Sequence, residues 1–189
     1  MRLFDLKAGQ NKMSLETKFK DMNHQMVLNN VLLKYVDIMD IKDVHKLRTD
    51  PDVGKFLMRS LDQSLEEIQI FVEDRMRIDE FFIIRTKDTN EFAGTIALWR
   101  IDLDNQYAEL GYEMLPEFQG KGLMDSALKL ILKHAASLHI NRIEAKTHRD
   151  NLKSRKLVQR NGFTLLEDVT DDNYLDNVVY EYINANNKT

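Results

Sequence analysis

The sequence of 189 residues contains no cysteine, only two prolines and seven glycines. The absence of cysteine excludes disulfide bonds, thiolate nucleophiles and cysteine-based zinc sites, and it fits a reducing compartment. Little proline and glycine leaves little room for linkers or low-complexity segments. No apolar run approaches the roughly 20 residues of a membrane span, and the first ten residues lack the apolar core of a signal peptide. We therefore expect a cytoplasmic protein without a membrane partner.

Length and composition favour a single domain. About 150 residues per domain is usual, and 43% hydrophobic with 31% charged residues is ordinary for a globular protein. Residues 1–25 are polar and have no clear hydrophobic period, which predicts an N-terminal arm of uncertain order. Residues 26–189 are predicted to form the one folded domain.

Charge is distributed unevenly along the chain. The formal net charge of -4 argues against a protein that binds nucleic acid directly through bulk attraction. Residues 119–160, however, hold ten lysines and arginines against three acids. This basic segment predicts a local site for a polyanion, and a solvated basic helix face is the alternative.

Hydrophobic periodicity predicts eleven elements in the order βααβββαβαββ. The predicted strands lie at 31–36, 81–86, 92–100, 107–115, 142–147, 163–169 and 177–183, and the predicted helices at 38–47, 64–76, 123–138 and 151–160. Short turns join the second, third and fourth strands, which is typical of an antiparallel meander, and the long third helix implies one parallel step. The predicted fold class is α+β, with a mixed, mostly antiparallel sheet flanked by helices.

A glycine turn stands where the fourth predicted strand gives way to the long helix. In PEFQGKGLMDSAL, Gly120 and Gly122 would leave backbone N–H groups bare at the positive helix end, where an anion such as a diphosphate is stabilised. A glycine-relaxed turn without a ligand is the alternative. The turn lacks the Gly-Lys-Ser/Thr of a P-loop and is not G-x-G-x-x-G, which argues against nucleotide hydrolysis and dinucleotide redox chemistry.

Two motifs resemble those of the GNAT N-acetyltransferases. The segment 119–124 resembles their Q/R-x-x-G-x-G/A acetyl-CoA loop, and HRDNLKSRKLVQRNGF is similar to their N-x-x-A/S-x-x-L-x-x-x-x-G-F segment. The second match rests on Asn151, Ser154, Leu157, Gly162 and Phe163. Together, ELGY, QGKGLM and N-x-x-S are most similar to the branch of ribosomal-protein alanine and serine N-terminal acetyltransferases. The resemblance covers about residues 29–183.

The resemblance implies direct transfer of an acetyl group from acetyl-CoA, as cosubstrate, to a primary amine. It also implies a GNAT-like sheet in which a β-bulge separates the fourth and fifth predicted strands and admits the pantetheine arm. The implied acetyl-CoA contacts are Met114, Leu115, Gln119, Gly120, Lys121, Gly122, Leu123, Met124 and Asn151. A backbone N–H near Met114 or Leu115 would stabilise the oxyanion.

The catalytic residues implied by the resemblance are Glu109 as base and Ser154 as the group assisting the departing thiolate. A solvated, ion-paired carboxylate is the alternative for Glu109, and an ordinary first-turn serine is the alternative for Ser154. Helix capping alone would explain Asn151. The sequence departs from the family pattern at Met124, where a small residue is usual, and at Val158, where many relatives carry a proton-donating tyrosine.

The acceptor implied by this branch is a protein N-terminal amine, as in a ribosomal protein, and the acidic remainder of the chain favours a basic peptide end. Two alternatives stay open: a small amine such as a polyamine, amino sugar or drug, and a non-catalytic acyl-CoA sensor, which the valine at position 158 favours. The sequence also leaves a homodimer open. The five histidines show no ligand spacing, so we expect no metal site.

Overall fold

The structure is a computed structural model that describes residues 24–184. It contains eight strands: β1 (Gln25–Leu28), β2 (Val31–Tyr35), β3 (Glu80–Thr86), β4 (Phe92–Asp102), β5 (Tyr107–Met114), β6 (Arg142–His148), β7 (Thr164–Thr170) and β8 (Asn177–Ile183). The five α-helices of this part of the chain are α1 (Ile41–Thr49), α2 (Pro51–Gly54), α3 (Leu65–Ile78), α4 (Leu123–Ser137) and α5 (Leu152–Arg160). The arm predicted for residues 1–25 lies outside the described residues except for its last two.

All eight strands belong to one sheet in the order β1-β2-β3-β4-β5-β6-β8-β7. Neighbouring strands pair antiparallel except β5 and β6, which are parallel because α4 connects them. The α+β architecture predicted from the sequence, with its mostly antiparallel sheet and one parallel step, is therefore confirmed. The structure adds two short elements that the sequence analysis did not identify, β1 and α2.

Two apolar layers cover the sheet. On one face, α4 packs on residues of the central strands, including Phe82, Ile96 and Leu110, around its own Leu128 and Ile131. On the opposite face, α1 and α3 form a second core. That core contains Val44 and Leu47 of α1, Ile68 and Val72 of α3, and Phe81, Ile83 and Ala97 of the sheet. The face covered by α1 and α3 also carries the cavity described below.

Strands β5 and β6 separate halfway along their length. Their parallel pairing runs from Tyr107 with Arg142 to Leu110 with Ala145 and then stops, although β5 continues to Met114 and β6 to His148. Beyond Leu110, β5 remains paired with β4 only. The separation expected from the resemblance is therefore present, and it opens one edge of β5 to a ligand that lies along the strand.

Candidate active site

The glycine turn has the geometry that was predicted for an anion site. Gly120 and Gly122 have φ angles of 75° and 74°, which glycine adopts without steric cost, and a Cβ added at either would meet no atom within 4 Å. Gly122 is the N-cap of α4, and no side chain caps this helix end. The N–H groups of its first turn therefore have no intrahelical partner and stay available to an anion.

Side chains on both sides of the turn hold it in place. The Gln119 Nε2 atom donates to the Met114 carbonyl at 3.0 Å, which ties the turn to the end of β5. The Lys153 ammonium donates to Gln119 Oε1 at 3.1 Å and links the turn to α5. Lys121 is exposed beside the glycines, whereas Leu123 and Met124 are buried in the core. The Met124 side chain, which is unusual for the family, therefore packs the start of α4 against the core.

The hydrogen bonding at the end of β5 distinguishes between the two backbone N–H groups that were expected to stabilise the oxyanion. The Leu115 N–H donates to the Ala93 carbonyl at 2.9 Å, so it is already engaged with β4. Successive N–H groups of a strand point to opposite sides, so the Met114 N–H is directed toward the edge that β6 leaves open. Of the two N–H groups expected from the sequence, only that of Met114 suits this role.

A cavity of about 360 Å³ opens on the sheet face covered by α1 and α3. Its volume lies in the usual range for ligand sites, about 300 to 1,000 Å³. It extends from the separated ends of β5 and β6 to the segment between α1 and α3. The lining includes Trp99, Tyr112 and Ser154, together with Leu57 and Met58. Tyr107, at the start of β5, is not part of the lining.

Ser154 lies at the cavity, one turn into α5, and is hydrogen-bonded to an aromatic hydroxyl. Its Oγ atom and the Tyr112 hydroxyl share a hydrogen bond of 2.7 Å. Burial raises the pKa of Tyr112 to about 12, which keeps this hydroxyl protonated at neutral pH. Asn151 also lines the cavity, and its Oδ1 atom accepts the Ser154 N–H at 3.2 Å as the predicted helix cap. Val158 is fully buried and offers no proton.

Glu109 lies on the cavity face of β5, outside the cavity lining itself. Its Oε1 atom accepts from Lys146 Nζ at 2.9 Å, from Arg100 Nη1 at 2.9 Å and from the Tyr107 hydroxyl at 3.3 Å. Lys146 is a lining residue, so the carboxylate stands immediately behind the cavity wall. The Oε2 atom accepts no hydrogen bond from residues 24–184.

A second carboxylate, which the sequence analysis did not identify, is part of the lining. Glu113 forms a two-pronged ion pair with Arg59, in which Nη2 donates to Oε2 at 2.8 Å and Nη1 donates to Oε1. The exposed fractions of the two side chains are only 16% and 13%. Arg59 comes from the segment between α1 and α3, 54 residues away in sequence, so no local pattern could have paired it with Glu113.

Comparison with known proteins agrees with this geometry. Residues 30–164 match the acetyltransferase (GNAT) domain family. The chain belongs to the GNAT acetyltransferase family. N-acetyltransferase p20 of Bacillus licheniformis is 30% identical over 138 residues, which cover 69% of this chain and 77% of that protein. The GNAT enzyme is thus an acetyl-CoA-dependent N-acetyltransferase, and the bare amides of its glycine turn suit the diphosphate of this cosubstrate.

Two further relatives of this GNAT enzyme have names that include an acceptor. Ribosomal-protein-serine acetyltransferase of Escherichia coli is 36% identical over 87 residues, 46% of this chain and 48% of that protein. The crystal structure of an acetyl transferase from Salmonella typhimurium, which modifies the N-terminal serine of ribosomal protein L7/L12, is 26% identical. It superimposes with a TM-score of 0.74 and covers 84% of this chain and 98% of that one.

Two structural findings concern metals and membranes. Within residues 24–184, no group of three or more histidine, aspartate or glutamate side chains is placed to hold a metal ion. No helix in the same range is long and apolar enough to cross a membrane.

Proposed function

We propose that this enzyme acetylates the N-terminal amine of a protein, with a ribosomal protein as the acceptor. The observation that carries the proposal is the likeness, at 26% identity over most of both chains, to an enzyme that modifies the N-terminal serine of L7/L12. The likeness to ribosomal-protein-serine acetyltransferase supports the same acceptor.

The cavity mouth also supports a protein acceptor. Three of its lining residues are large apolar side chains that remain exposed: Leu57 at 39%, Met58 at 77% and Tyr174 at 43%. Apolar groups exposed together at the mouth of a cavity are typical of a surface that receives another macromolecule. A small hydrophilic amine would leave these side chains in water.

Acetyl-CoA supplies the acetyl group as a reactive thioester. We propose that Gln119, Gly120, Lys121, Gly122, Leu123 and Met124 bind its diphosphate, that Asn151 contacts the pantetheine arm and that the Met114 N–H stabilises the oxyanion. These assignments follow from the bare helix end and the open edge of β5. With these contacts, we expect the acetyl carbon to face an amine held in the cavity.

The proton on the attacking amine needs little help to leave. The pKa of a free α-amino group is about 7.7 to 8.0, so a substantial fraction is neutral at physiological pH. We propose that the proton leaves through a water molecule to Glu109 Oε2, which accepts no other hydrogen bond from the described residues. The carbon–nitrogen bond forms and the carbon–sulfur bond breaks, without a covalent enzyme intermediate.

Ser154 is proposed to assist the departing sulfur. We propose that the protonated Tyr112 hydroxyl is the donor in its hydrogen bond with Ser154 Oγ, which leaves the serine O–H to donate to the sulfur as it gains charge. A thiol has a pKa near 8.5, so a hydrogen bond is sufficient and solvent can supply the final proton. In this account Ser154 takes the role of the tyrosine missing at position 158, and Tyr112 is a positioning residue for the serine.

Thiol release from acetyl-CoA by the purified protein tests the function. We expect rapid release with a peptide that begins with serine, and only background release with spermidine or without an acceptor. Preference for spermidine would show that the acceptor is a small amine. Coenzyme A binding without release for any acceptor in the panel would favour the sensor and contradict the proposal.

Two variants test the roles of the side chains. Glu109→Gln should lower kcat/KM about tenfold or more near pH 7, and the deficit should shrink above pH 8, where the amine is already neutral. Ser154→Ala should lower kcat with little change in KM. Glu167→Gln and Ser137→Ala, at exposed positions in β7 and α4, are the matched controls. A deficit in Glu109→Gln that is the same at every pH would contradict its role as base.

A further inference from the structure

The side chains that line the cavity carry a net positive charge, whereas the whole chain has a formal net charge of -4. Among the residues that the structure describes, three cations, Arg48, Arg59 and Lys146, line the cavity, and Glu113 is the only carboxylate. The expectation of a basic peptide end, which was based on the acidic remainder of the chain, therefore does not hold for the cavity. A polycationic acceptor would meet like charge at this wall, whereas an anionic group would be attracted to it.

Arg59 and Lys146 each form an ion pair with a carboxylate. Arg59 pairs with Glu113, and Lys146 donates to Glu109 at 2.9 Å. Arg48, at the last turn of α1, differs from both. Its Nε atom donates to the neutral Gln63 amide oxygen at 3.2 Å, and its two terminal nitrogens have no acceptor among residues 24–184.

The Arg48 guanidinium is nevertheless held in place. Its central carbon lies 3.9 Å from the centroid of the Phe71 ring, so the ring face supports the cation. The Arg48 carbonyl accepts from Arg59 Nε at 3.2 Å, which joins the end of α1 to the segment that lines the cavity. Burial and the nearby Arg59 lower the pKa of Arg48 to about 10, although Glu113 opposes this effect. Within residues 24–184, no carboxylate forms an ion pair with this guanidinium, and Glu113, which lies near it, is already paired with Arg59.

We propose that the Arg48 guanidinium binds a carboxylate of the acceptor, so that the preferred substrates carry aspartate or glutamate close behind the N-terminal residue. A guanidinium presents two parallel N–H groups that match a carboxylate, and a ligand that supplies the missing counterion is selected over its neutral isostere. This inference rests on the proposed function, because it names the class of N-terminal peptide that the same cavity accepts.

Peptides that begin with serine and differ in a single residue test the inference. Aspartate or asparagine is placed at position 2, 3 or 4, and kcat/KM is measured for each pair with the unaltered protein. We expect aspartate to be preferred about ten- to hundredfold at one of these positions, because a hydrogen bond to a charged group contributes about that factor. Equal rates for aspartate and asparagine at all three positions would overturn the inference.

Arg48→Gln should abolish the preference for aspartate, so that kcat/KM becomes nearly equal for the two members of each aspartate–asparagine pair. Arg48→Lys should restore only part of it, because an ammonium cannot form the two-pronged contact. Lys42→Gln, an exposed position on the same helix, removes one charge outside the cavity and should keep the preference. A preference that persists in Arg48→Gln would overturn the assignment to Arg48.

A second set of acceptors distinguishes failure of this inference from failure of the proposed function. Glutamate and glutamine are offered as free amino acids, which share the anion with the peptides but are not proteins. If no peptide is acetylated and glutamate is preferred in an Arg48-dependent way, the proposed function fails and anion recognition stands. If neither series discriminates by charge, the inference fails whichever acceptor is used.

Discussion

Alanine at Gly122 provides the sharpest test of the anion site. The φ angle of 74° places the residue in the left-handed region, where a side chain costs about 1–2 kcal/mol. The added Cβ would meet no protein atom within 4 Å, so the folded protein has room for it. In the proposed function, the diphosphate approaches the bare N–H groups of α4 through this same open space.

The expected loss of affinity follows from those N–H groups. If the Cβ holds the anion away from even one of them, the lost charge-assisted hydrogen bond costs about 1.5–3 kcal/mol. This cost corresponds to a dissociation constant about ten- to hundredfold higher. Titration calorimetry with coenzyme A measures this effect, and urea unfolding without ligand measures the backbone cost separately.

Gly162→Ala is the matched control for this experiment. Gly162 has a φ angle of 89°, so alanine there carries a similar backbone penalty, and its Cβ would lie 3.6 Å from the Tyr182 ring. Both variants should lower the free energy of unfolding by about 1–2 kcal/mol. Only Gly122→Ala should weaken binding of coenzyme A. Unchanged affinity in Gly122→Ala would refute the assignment of the glycine turn to the diphosphate.

Two further predictions concern stability and the acceptor. Hydrogen bonds from Arg160 and Lys129 hold the pKa of Asp125 well below its usual value. These bonds therefore stabilise the folded protein at pH values above the unfolded-state pKa of about 3.9. The stabilisation is lost as the pH falls toward the lower pKa of the folded state. Urea unfolding should show that Asp125→Asn costs about 1 kcal/mol at pH 7, with a smaller deficit at pH 3, and a deficit that grew on acidification would contradict this reasoning. Gly111→Ala would place a Cβ 1.9 Å from Trp99 Nε1, so it should lower the free energy of unfolding by about 1–3 kcal/mol. Because Trp99 lines the cavity, the same variant should raise KM for the acceptor more than KM for acetyl-CoA. An unchanged KM for the acceptor in steady-state kinetics would contradict this prediction.

Local signals explain why most of the fold could be predicted. The Ser64–Glu67 capping box is a local signal for the start of α3, and Gly162, which has a positive φ, is one for the end of α5. Strand β1 was missed because its four residues precede a tight turn at Asn29, whose φ of 51° only the folded hairpin reveals. Helix α2 is a single turn that begins at Pro51, too short for a hydrophobic period.

In the candidate site, too, features that depend on neighbouring residues could be predicted, whereas features that depend on tertiary packing could not. The glycine turn could be predicted because its chemistry depends on neighbouring residues. Glu109 was predicted as the base within a strand at 107–115, but its ion pair with Lys146 depends on the pairing of β5 with β6. The Arg59–Glu113 pair joins residues that only the folded chain brings together, and the unpaired state of Arg48 depends on the same packing.

The most direct test of the central claim is the position of the acetyl group that the enzyme transfers. A peptide with an N-terminal serine and an internal lysine is incubated with acetyl-CoA at pH 7.5, and tandem mass spectrometry locates the added acetyl. The α-amine, with a pKa of about 7.7 to 8.0, is partly neutral at this pH, whereas a lysine amine with a pKa near 10.4 is almost fully protonated. We expect acetylation of the α-amine alone. Acetylation of the lysine instead, or of neither amine, would contradict the account.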